Sequence, residues 1–370
     1  MQPLQTYPVT LPSAFGHLLA ATSSAVPQTA LGLAYAEAVK GVGRTRPNPP
    51  VGCVVVDDDG LVLASGFHQL AGEPHAEVMA LGNLGAGEAR GKTVVVTLEP
   101  CTHHGRTPPC VGRLLHEGVR RVVVGSLDPN PLVHGQGVAQ LRQAGVEVEM
   151  ATGVDARRCQ SLLAPFASSQ TRHRPFVVLK ISTSLDGKVA TRTGSSRSIT
   201  GPSARVLVHR LRDAVDAVVV GAATVLTDDP ALTVRDVAGR DPLRVVLDRR
   251  GRVPASARVF ADANVTVLSV STIGEVLAVL HQRGLLAVVV EAGPQLATAF
   301  LQAGVVDELW WFHAPIYVGS DGLSAVSAGE LDDINQAPRF EVVTRGEYGE
   351  DMLTVLRQRP TLSSADPFVM

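Results

Sequence analysis

The fold of the first half of the chain is decided by residues 75–110, which read HAEVMALGNLGAGEARGKTVVVTLEPCTHHGRTPPC. A helical stretch is predicted over His75–Leu84, a buried strand over Thr93–Leu98, and a further helix after Pro109. Strands that alternate with helices predict an α/β sandwich around a mostly parallel sheet.

The same alternation continues on both sides of this segment. Upstream, a helix is predicted from Ala30 to Gly41–Gly43. Two apolar runs follow, Val51–Val56 and Leu61–Phe67, and the DDDG sequence between them is a hairpin signal. Downstream, the predicted elements are a strand at Arg121–Gly125, a helix near Gln136–Ala144 and a strand at Val146–Met150.

A second series of strands and helices begins at Phe176. Its predicted strands are Phe176–Ser182, Ala217–Val220, Leu243–Asp248, Val265–Ser269, Leu286–Glu291 and Glu308–His313, with antiparallel edge strands at Phe340–Thr344 and Met352–Arg357. Its predicted helices are Ser203–Arg212, Ile273–Arg283 and Pro294–Gln302.

These elements predict two α/β domains. The first covers residues 28–151 and the second residues 175–358, with a connector over 152–174 that is helical at Asp155–Ala167. Residues 1–27, with scattered proline and no sustained period, are expected to be a loose extension, and residues 359–370 a tail.

Composition excludes several classes of protein. Of 370 residues, 45% are hydrophobic and 18% charged, which suits ordinary globular cores and excludes a mainly disordered chain. The net charge of −2 disfavours a nucleic-acid platform, and no apolar run approaches the ~18 residues of a membrane span. Four cysteines are too few for a disulfide framework. No secretory signal is evident, so a cytoplasmic protein is expected.

Three residues of the opening segment predict a catalytic zinc site. His75 offers an imidazole, and Cys101 and Cys110 offer two thiolates. Three such ligands leave the fourth tetrahedral position open, which distinguishes a catalytic zinc from a structural one. Sulfur-rich ligation favours zinc, although iron is an alternative.

Glu77 is the predicted acid–base residue. It lies two residues after His75, where it can move protons without binding the metal. The H-x-E…P-C pattern is typical of zinc nucleobase deaminases, but eight residues separate these cysteines where that pattern has two. The longer spacing indicates a particular subfamily.

Three further polar residues near this site leave alternatives open. His103 and His104 could replace a cysteine as ligand, although a substrate contact for at least one is favoured. Asn48, in the proline-rich RPNPP turn, could pair with an aminopyrimidine edge or only form the turn.

The motifs of both halves together resemble the bifunctional riboflavin-biosynthesis deaminase/reductase (RibD) family. In the first half these are Pro47-Asn48-Pro49, His75-Ala76-Glu77, the Cys101–Cys110 insert and Asp128-Pro129-Asn130-Pro131. In the second half they are Lys180 with Ser184-Leu185-Asp186-Gly187, residues 221–226 (GAATVL), Asp228-Asp229-Pro230, Leu232-Thr233-Val234-Arg235, and Glu291-Ala292-Gly293-Pro294.

The resemblance implies two steps on one phosphoribosyl-aminopyrimidine. Deamination of the 2,5-diamino-6-(5-phosphoribosylamino)pyrimidinone gives the uracil, and NADPH then reduces the ribosyl side chain to ribityl. It also implies a cytidine-deaminase-like domain followed by a dihydrofolate-reductase-like domain, and a homo-oligomer that binds neither nucleic acid nor membrane.

In the second half, a strand that ends at Glu291 runs into a helix through Gly293, which is typical of a phosphate site. The NADPH pyrophosphate is therefore expected on Gly293, Pro294, Gln295, Leu296, Ala297, Thr298 and Ala299. The resemblance adds cofactor contacts at Ser182, Ser198, Thr224, Asp228 and Arg249. It implies substrate contacts at Ser196, Arg212, Leu232, Arg235 and Glu291, besides Asn48. Arg212 and Arg235 could bind the ribose phosphate bidentately, or be solvated arginines on a helix and a loop.

Two positions depart from the family pattern. Ser198 replaces a residue that is often tryptophan, and Arg249 occupies a position that can be serine. Arg249 could meet the cofactor's 2′-phosphate together with Arg250 and Arg252, or belong to a solvated basic turn. Two other functions stay open, a nucleic-acid-editing deaminase and a deaminase whose second domain is not catalytic.

Overall fold

The computed structural model describes residues 12–19, 29–103, 108–196, 199–327 and 332–358. The first part contains helices α1 (Gly16–Leu19), α2 (Ala30–Val39), α3 (Ala76–Gly82), α4 (Cys110–His116) and α5 (Gln136–Gln143). Its strands are β1 (Gly52–Val56), β2 (Val62–Phe67), β3 (Thr93–Val96), β4 (Arg121–Val124) and β5 (Glu147–Met150). Every predicted element of this half is present.

The first sheet has the strand order β2-β1-β3-β4-β5. β3, β4 and β5 are parallel, whereas β1 runs antiparallel to both β2 and β3. The sheet is therefore half antiparallel, and the prediction of a mostly parallel sheet was wrong for this domain. The cause is the β1–β2 hairpin, which places β2 at the edge of the sheet. The chain then passes through α3 to the other side of β1, where β3 pairs with β1.

The second part contains a larger sheet. Its helices are α6 (Gly153–Leu162), α7 (Ala164–Arg172), α8 (Pro202–Ala214), α9 (Ala222–Asp228), α10 (Ile273–Gln282) and α11 (Pro294–Gln302). Its strands are β6 (Phe176–Thr183), β7 (Lys188–Ala190), β8 (Ala217–Gly221), β9 (Leu243–Leu247), β10 (Val265–Leu268), β11 (Ala287–Glu291), β12 (Glu308–His313), β13 (Leu323–Ser324), β14 (Phe340–Tyr348) and β15 (Asp351–Gln358).

Eight of these strands form one sheet in the order β10-β9-β8-β11-β6-β12-β15-β14. The six strands from β10 to β12 are parallel, and β15 and β14 add an antiparallel edge, as predicted. Apolar cores cover both faces, so the two-domain α/β fold expected from the sequence is confirmed.

The connector differs from its prediction in one respect. The sequence predicts one helix over Asp155–Ala167 with a polar end, whereas α6 stops at Leu162 and α7 continues to Arg172. Pro165 explains the break, because proline fits the first turn of a helix but not its interior. Ser168 and Ser169 belong to the predicted polar end but lie inside α7. Both are buried, and the Ser168 hydroxyl donates to the carbonyl of Arg174.

Part of the expected loose extension is packed. The Ser13 hydroxyl and the Ala14 N–H both donate to the buried carboxylate of Glu308 at 2.8 Å, and Phe15 is 2% exposed in the apolar core of the second domain. The expectation for residues 1–27 was therefore wrong for 13–19. No helix within the described ranges is long and apolar enough to cross a membrane.

Candidate active sites

Three potential metal ligands meet where α3 and α4 begin. His75 caps α3, Cys110 opens α4 and Cys101 follows β3, and their ligand atoms all lie within 4.8 Å of one another. His75 Nδ1 is 3.3 Å from the sulfur of Cys110 and 3.5 Å from that of Cys101. One nitrogen and two sulfurs at this spacing fit a zinc ion with an open fourth position.

The local electrostatics favour a thiolate at Cys101. Its sulfur accepts the backbone N–H of Cys110 at 3.3 Å, at the start of α4. The hydrogen bonds from Cys110 and His75 lower the pKa of the Cys101 thiol, against the opposing effect of burial. The same contact with Cys101 raises the pKa of His75. The cluster is therefore preorganised for a cation.

Glu77 lies in the first turn of α3 and is 3% exposed. Burial raises the pKa of its carboxyl group, and the negative charge of Cys101 raises it further. A carboxyl group with a raised pKa holds and releases a proton closer to neutral pH than an exposed one does. This position agrees with the acid–base role predicted for Glu77.

A cavity of about 340 Å³ opens onto these residues. Its lining combines the metal ligands His75 and Cys101, Glu77, and the predicted substrate residue Asn48. His103 also lines it and is exposed, whereas His104 lies outside the described residues. The volume is of the size that accommodates a small-molecule ligand.

His68 orients Asn48, a role that was not predicted from the sequence. His68 Nδ1 is 3.1 Å from the carbonyl oxygen of Pro74, so this nitrogen carries the proton and donates. Burial lowers the pKa of His68, which favours the neutral ring, and its Nε2 then accepts from the Asn48 amide nitrogen at 3.0 Å. This contact fixes the amide of Asn48, which lines the cavity. The predicted hairpin could have indicated the contact of His68 with Asn48, because it places His68 beside Val51, three residues after Asn48.

Phe166 was also missed as a site residue. It belongs to α7, outside the predicted deaminase domain, and still lines the cavity. No local motif marks it, since the contact depends on how the connector packs.

The second candidate site lies at the carboxyl ends of β6 and β11. Glu291 accepts two hydrogen bonds from Arg212, at 2.6 Å from Nε and 2.9 Å from Nη2. Burial would raise the pKa of Glu291, but the charge and hydrogen bonds of Arg212 hold it down at about 2. Lys180 lies opposite Glu291 in the strand register, and burial lowers its pKa.

This pairing changes the expectation for Arg212. Its guanidinium is 9% exposed, binds Glu291, and donates to the Thr233 carbonyl at 2.9 Å. A phosphate would have to displace Glu291 to be bound bidentately, so Arg212 does not offer the free guanidinium that was expected. The Arg235 side chain is 56% exposed and its Nε lies 3.9 Å from the Asp236 carboxylate, so a phosphate reaches it more easily than it reaches Arg212.

A loop over residues 232–236 carries Arg235. The backbone N–H of Arg235 donates to His209 Nδ1 at 3.0 Å, and Arg212 holds Thr233. Leu232 has φ +55° and is 2% exposed in the core, so it shapes the loop from inside. Its predicted substrate contact stays a prediction.

The glycine turn before α11 has part of the geometry expected of a phosphate site. Gly293 caps α11, and a Cβ built on it would lie 3.9 Å from Thr224 Oγ1, so Thr224 borders the turn, while its cofactor contact stays a prediction. The Ala297 N–H already donates to Gly293, and the Thr298 hydroxyl donates to Pro294. The amides left for a phosphate therefore belong to the first turn and not to the whole run to Ala299.

Ser182, Ser196 and Asp228 are three other predicted cofactor or substrate residues of the described chain. Ser182 Oγ on β6 is buried and has no hydrogen-bond partner within the described chain, which fits a group awaiting a ligand. Ser196 donates to Asp228 at 3.0 Å, which joins a predicted substrate residue to a predicted cofactor residue. Ser198 lies outside the described residues.

The turn after β9 carries Arg249. Arg249, Arg250 and Arg252 are all exposed, and the buried Asp248 holds the turn by accepting the Val253 N–H at 2.8 Å. The arrangement suits either interpretation of this turn, so the 2′-phosphate contact stays a prediction.

Comparison with known proteins agrees with both sites. Residues 26–126 match the cytidine and deoxycytidylate deaminase zinc-binding region, and residues 175–354 match the RibD C-terminal domain. The riboflavin biosynthesis protein RibD of Aquifex aeolicus is 40% identical over 350 residues, covering 88% of this chain and 97% of that protein. That of Escherichia coli is 39% identical, covering 85% and 95%.

Solved structures show the same similarity over the whole fold. Acinetobacter baumannii RibD superposes with a TM-score of 0.83 at 38% identity, covering 90% of this chain and 98% of that one. A Thermotoga maritima protein described as a diaminohydroxyphosphoribosylaminopyrimidine deaminase/5-amino-6-(5-phosphoribosylamino)uracil reductase has a TM-score of 0.82 at 39% identity, covering 89% and 98%. Because the two halves match in the family's order and over nearly the full length of its members, the chain belongs to the RibD family.

Proposed function

We propose that this chain is a bifunctional enzyme of riboflavin biosynthesis. It removes the 2-amino group of 2,5-diamino-6-(5-phosphoribosylamino)pyrimidin-4-one as ammonia, and it then reduces the ribosyl side chain with NADPH. The product is 5-amino-6-(5-phosphoribitylamino)uracil. The observation that carries this proposal is the cluster of His75, Cys101 and Cys110 beside a buried Glu77 in one cavity.

In the deaminase site, His75, Cys101 and Cys110 would hold the zinc ion. Bound zinc supplies the Lewis acidity that makes water nucleophilic near neutral pH. The cavity opening at Asn48 binds the pyrimidine edge through the amide that His68 orients.

Glu77 moves the protons of the deamination. It accepts the first proton from the attacking water and delivers it to the ring nitrogen, and it then moves the remaining hydroxyl proton to the departing amine. The C–N bond breaks as the new C–O bond becomes a carbonyl, and ammonia leaves. The burial of Glu77 supports this role, because a desolvated carboxyl group exchanges protons near neutral pH.

In the reductase site, bound NADPH supplies the hydride that reduces the opened ribose. The chain binds and aligns the two reactants, because hydride transfer depends chiefly on their distance and orientation. Arg235 binds the substrate phosphate, Arg212 orients Glu291 toward the substrate, and Ser196 and the Leu232 loop complete that side. The cofactor contacts are Ser182, Ser198, Thr224, Asp228, Arg249 and the α11 turn beginning at Gly293.

We also propose a cytoplasmic homo-oligomer whose two domains have the bounds 28–151 and 175–358. The free thiols of Cys53, Cys101, Cys110 and Cys159 support a reducing compartment. Light scattering of the purified protein tests the oligomeric state.

Product analysis tests the function. The zinc-loaded protein is incubated with the diaminopyrimidine ribosyl phosphate, first without and then with NADPH, and the products are identified by mass spectrometry. We expect the uracil without NADPH and the ribityl compound with it. Recovery of unchanged substrate in both reactions would overturn the proposal.

A further inference from the structure

The loop that carries Asn48 rests on the reductase domain. Arg44, four residues before Asn48, donates from Nη2 to the Asp213 carboxylate at 2.6 Å and from Nη1 to the Asp213 carbonyl at 3.2 Å. Asp213 lies near the end of α8, in the second domain. The Arg44 guanidinium therefore binds both the side chain and the backbone of Asp213.

The two backbones also approach closely beside this contact. Gly43 has φ +72°, and a Cβ at that position would lie 2.4 Å from the Asp213 carbonyl oxygen. Only glycine allows this approach. At the other end of the loop, a Cβ on Gly284 of the reductase domain would lie 3.8 Å from the Cβ of Pro47. The reductase domain therefore contacts the loop on both sides of Thr45.

Hydrogen bonds inside the loop connect these contacts to Asn48. The Asn48 N–H donates to the Thr45 carbonyl, and the Thr45 hydroxyl donates to the Asn48 carbonyl, each at 2.9 Å. Thr45 is 2% exposed. A shift at Arg44 is therefore transmitted to Asn48 through a turn that has little room to adjust.

Asp213 is itself held in place. Its carboxylate also accepts the Arg240 N–H at 2.6 Å. A second acidic residue, Asp216, is fixed by N–H groups of Leu286 and Ala287 and lies 3.8 Å from Arg46 Nε. The reductase domain thus presents two immobilised carboxylates to two arginines of the deaminase loop.

We propose that the reductase domain is a structural part of the deaminase's substrate site, with Asp213 as a positioning residue that acts through Arg44 on Asn48. The inference rests on the proposed function, since Asn48 is the residue placed on the pyrimidine edge. It agrees with Phe166, which also reaches the deaminase cavity from outside that domain.

The test uses the full-length zinc-loaded enzyme and the variants Arg44→Ala, Asp213→Ala and the double variant. Deaminase KM and kcat are measured with the diaminopyrimidine ribosyl phosphate, and reduction is measured separately with the deaminated intermediate. Hydrogen exchange is followed over residues 43–50. Arg120→Ala is the matched control, because Arg120 forms an exposed ion pair with Asp58 on the same domain.

We expect Arg44→Ala to raise the deaminase KM about tenfold with kcat within about twofold, because the substrate is held less well while the proton-transfer groups stay in place. Exchange should accelerate over residues 43–50, and reduction should not change. The deaminase KM of the double variant should rise no more than that of either single variant, because each single substitution already removes the same Arg44–Asp213 contact. Arg44→Lys, which keeps the charge but not the paired donors, should lose less.

Unchanged KM and unchanged hydrogen exchange in Arg44→Ala would overturn the inference. So would a KM of the double variant that rises by the product of the two single-variant changes. Failure of the proposed function would look different. In that case the wild-type enzyme would release no ammonia, whereas exchange over residues 43–50 would still report whether Asp213 holds the loop.

Discussion

At the residue scale, each site depends on a hydrogen bond that fixes the state of one group. In the deaminase site the Pro74 carbonyl fixes the tautomer of His68, and His68 in turn fixes Asn48. In the reductase site the bidentate contact with Arg212 keeps Glu291 ionised. In both sites, the state of the functional residue depends on its hydrogen-bond partner as well as on its residue type.

Replacing Glu77 with glutamine should remove deamination and leave reduction intact. Glutamine keeps the size of the side chain but cannot accept or deliver a proton. We expect kcat for ammonia release to fall about 10³-fold. Reduction of the deaminated intermediate by the same protein is the folding control, and ammonia release within tenfold of wild type would contradict the role of Glu77.

The Glu291–Arg212 pair predicts a definite pH dependence of stability. The pKa of Glu291 is about 2 in the folded protein, below its ordinary value of 4.5. The ionised pair therefore stabilises the fold fully above that ordinary value, and this contribution is lost as the pH falls toward 2.

Urea denaturation of wild type and Glu291→Gln measures this contribution. We expect the difference in free energy of unfolding to be constant above about pH 5 and to shrink below it. A difference that grows as the solution becomes more acidic would have the wrong sign for a depressed pKa.

The metal-binding residues could be predicted because ligand chemistry restricts their types and order. His68 and Phe166 could not be identified from local sequence, since their roles arise from contacts across a hairpin and across the connector. For Arg212 the residue was identified but not its contact. A guanidinium binds a carboxylate as readily as a phosphate, and only the structure shows Glu291 beside it.

At the element scale, periodicity and turn residues were enough to predict most strands and helices, but not the short elements α1, α9, β7 and β13. They did not predict the antiparallel pairing of β1 with β3, because the sequence does not show which strand of the β1–β2 hairpin will pair with β3. They also missed the packing of residues 13–19, where the partner is Glu308, almost three hundred residues away.

The buried carboxylate of Glu308 should matter for the stability of the second domain. It accepts from Ser13, Ala14, Trp310 and Arg357. Glu308→Ala would remove the acceptor of the buried donors on Ser13, Ala14 and Trp310, whereas Arg357 would keep its contacts with Pro12 and Glu341. We therefore expect a loss of about 3 kcal/mol in the free energy of unfolding. Thermal and urea unfolding measure it, with the exposed Glu347→Ala on β14 as control. A loss equal to that of the control would show that Glu308 does not anchor the segment.

At the scale of the whole molecule, two unrelated chemistries occupy separate domains in contact. The metal cluster belongs to the first sheet, and the Glu291 site belongs to the second. The deaminase should therefore depend on zinc, and the reductase should not.

Removal of zinc by a chelator should abolish ammonia release and leave reduction of the deaminated intermediate unchanged. The thiol of Cys101 should become reactive, because Cys53, Cys110 and Cys159 are fully buried. Both effects should reverse on adding Zn²⁺. Loss of the reductase activity together with the metal would contradict separate sites.

The central claim is that one chain carries two sites that act in a fixed order. The most direct test mixes two variants, Glu77→Gln and Arg235→Ala, and supplies the diaminopyrimidine ribosyl phosphate with NADPH. Glu77→Gln alone should produce neither ammonia nor NADPH oxidation, and Arg235→Ala alone should release ammonia with little NADPH oxidation. The mixture should restore both. NADPH oxidation by Glu77→Gln alone, or a mixture no more active than its components, would contradict the account.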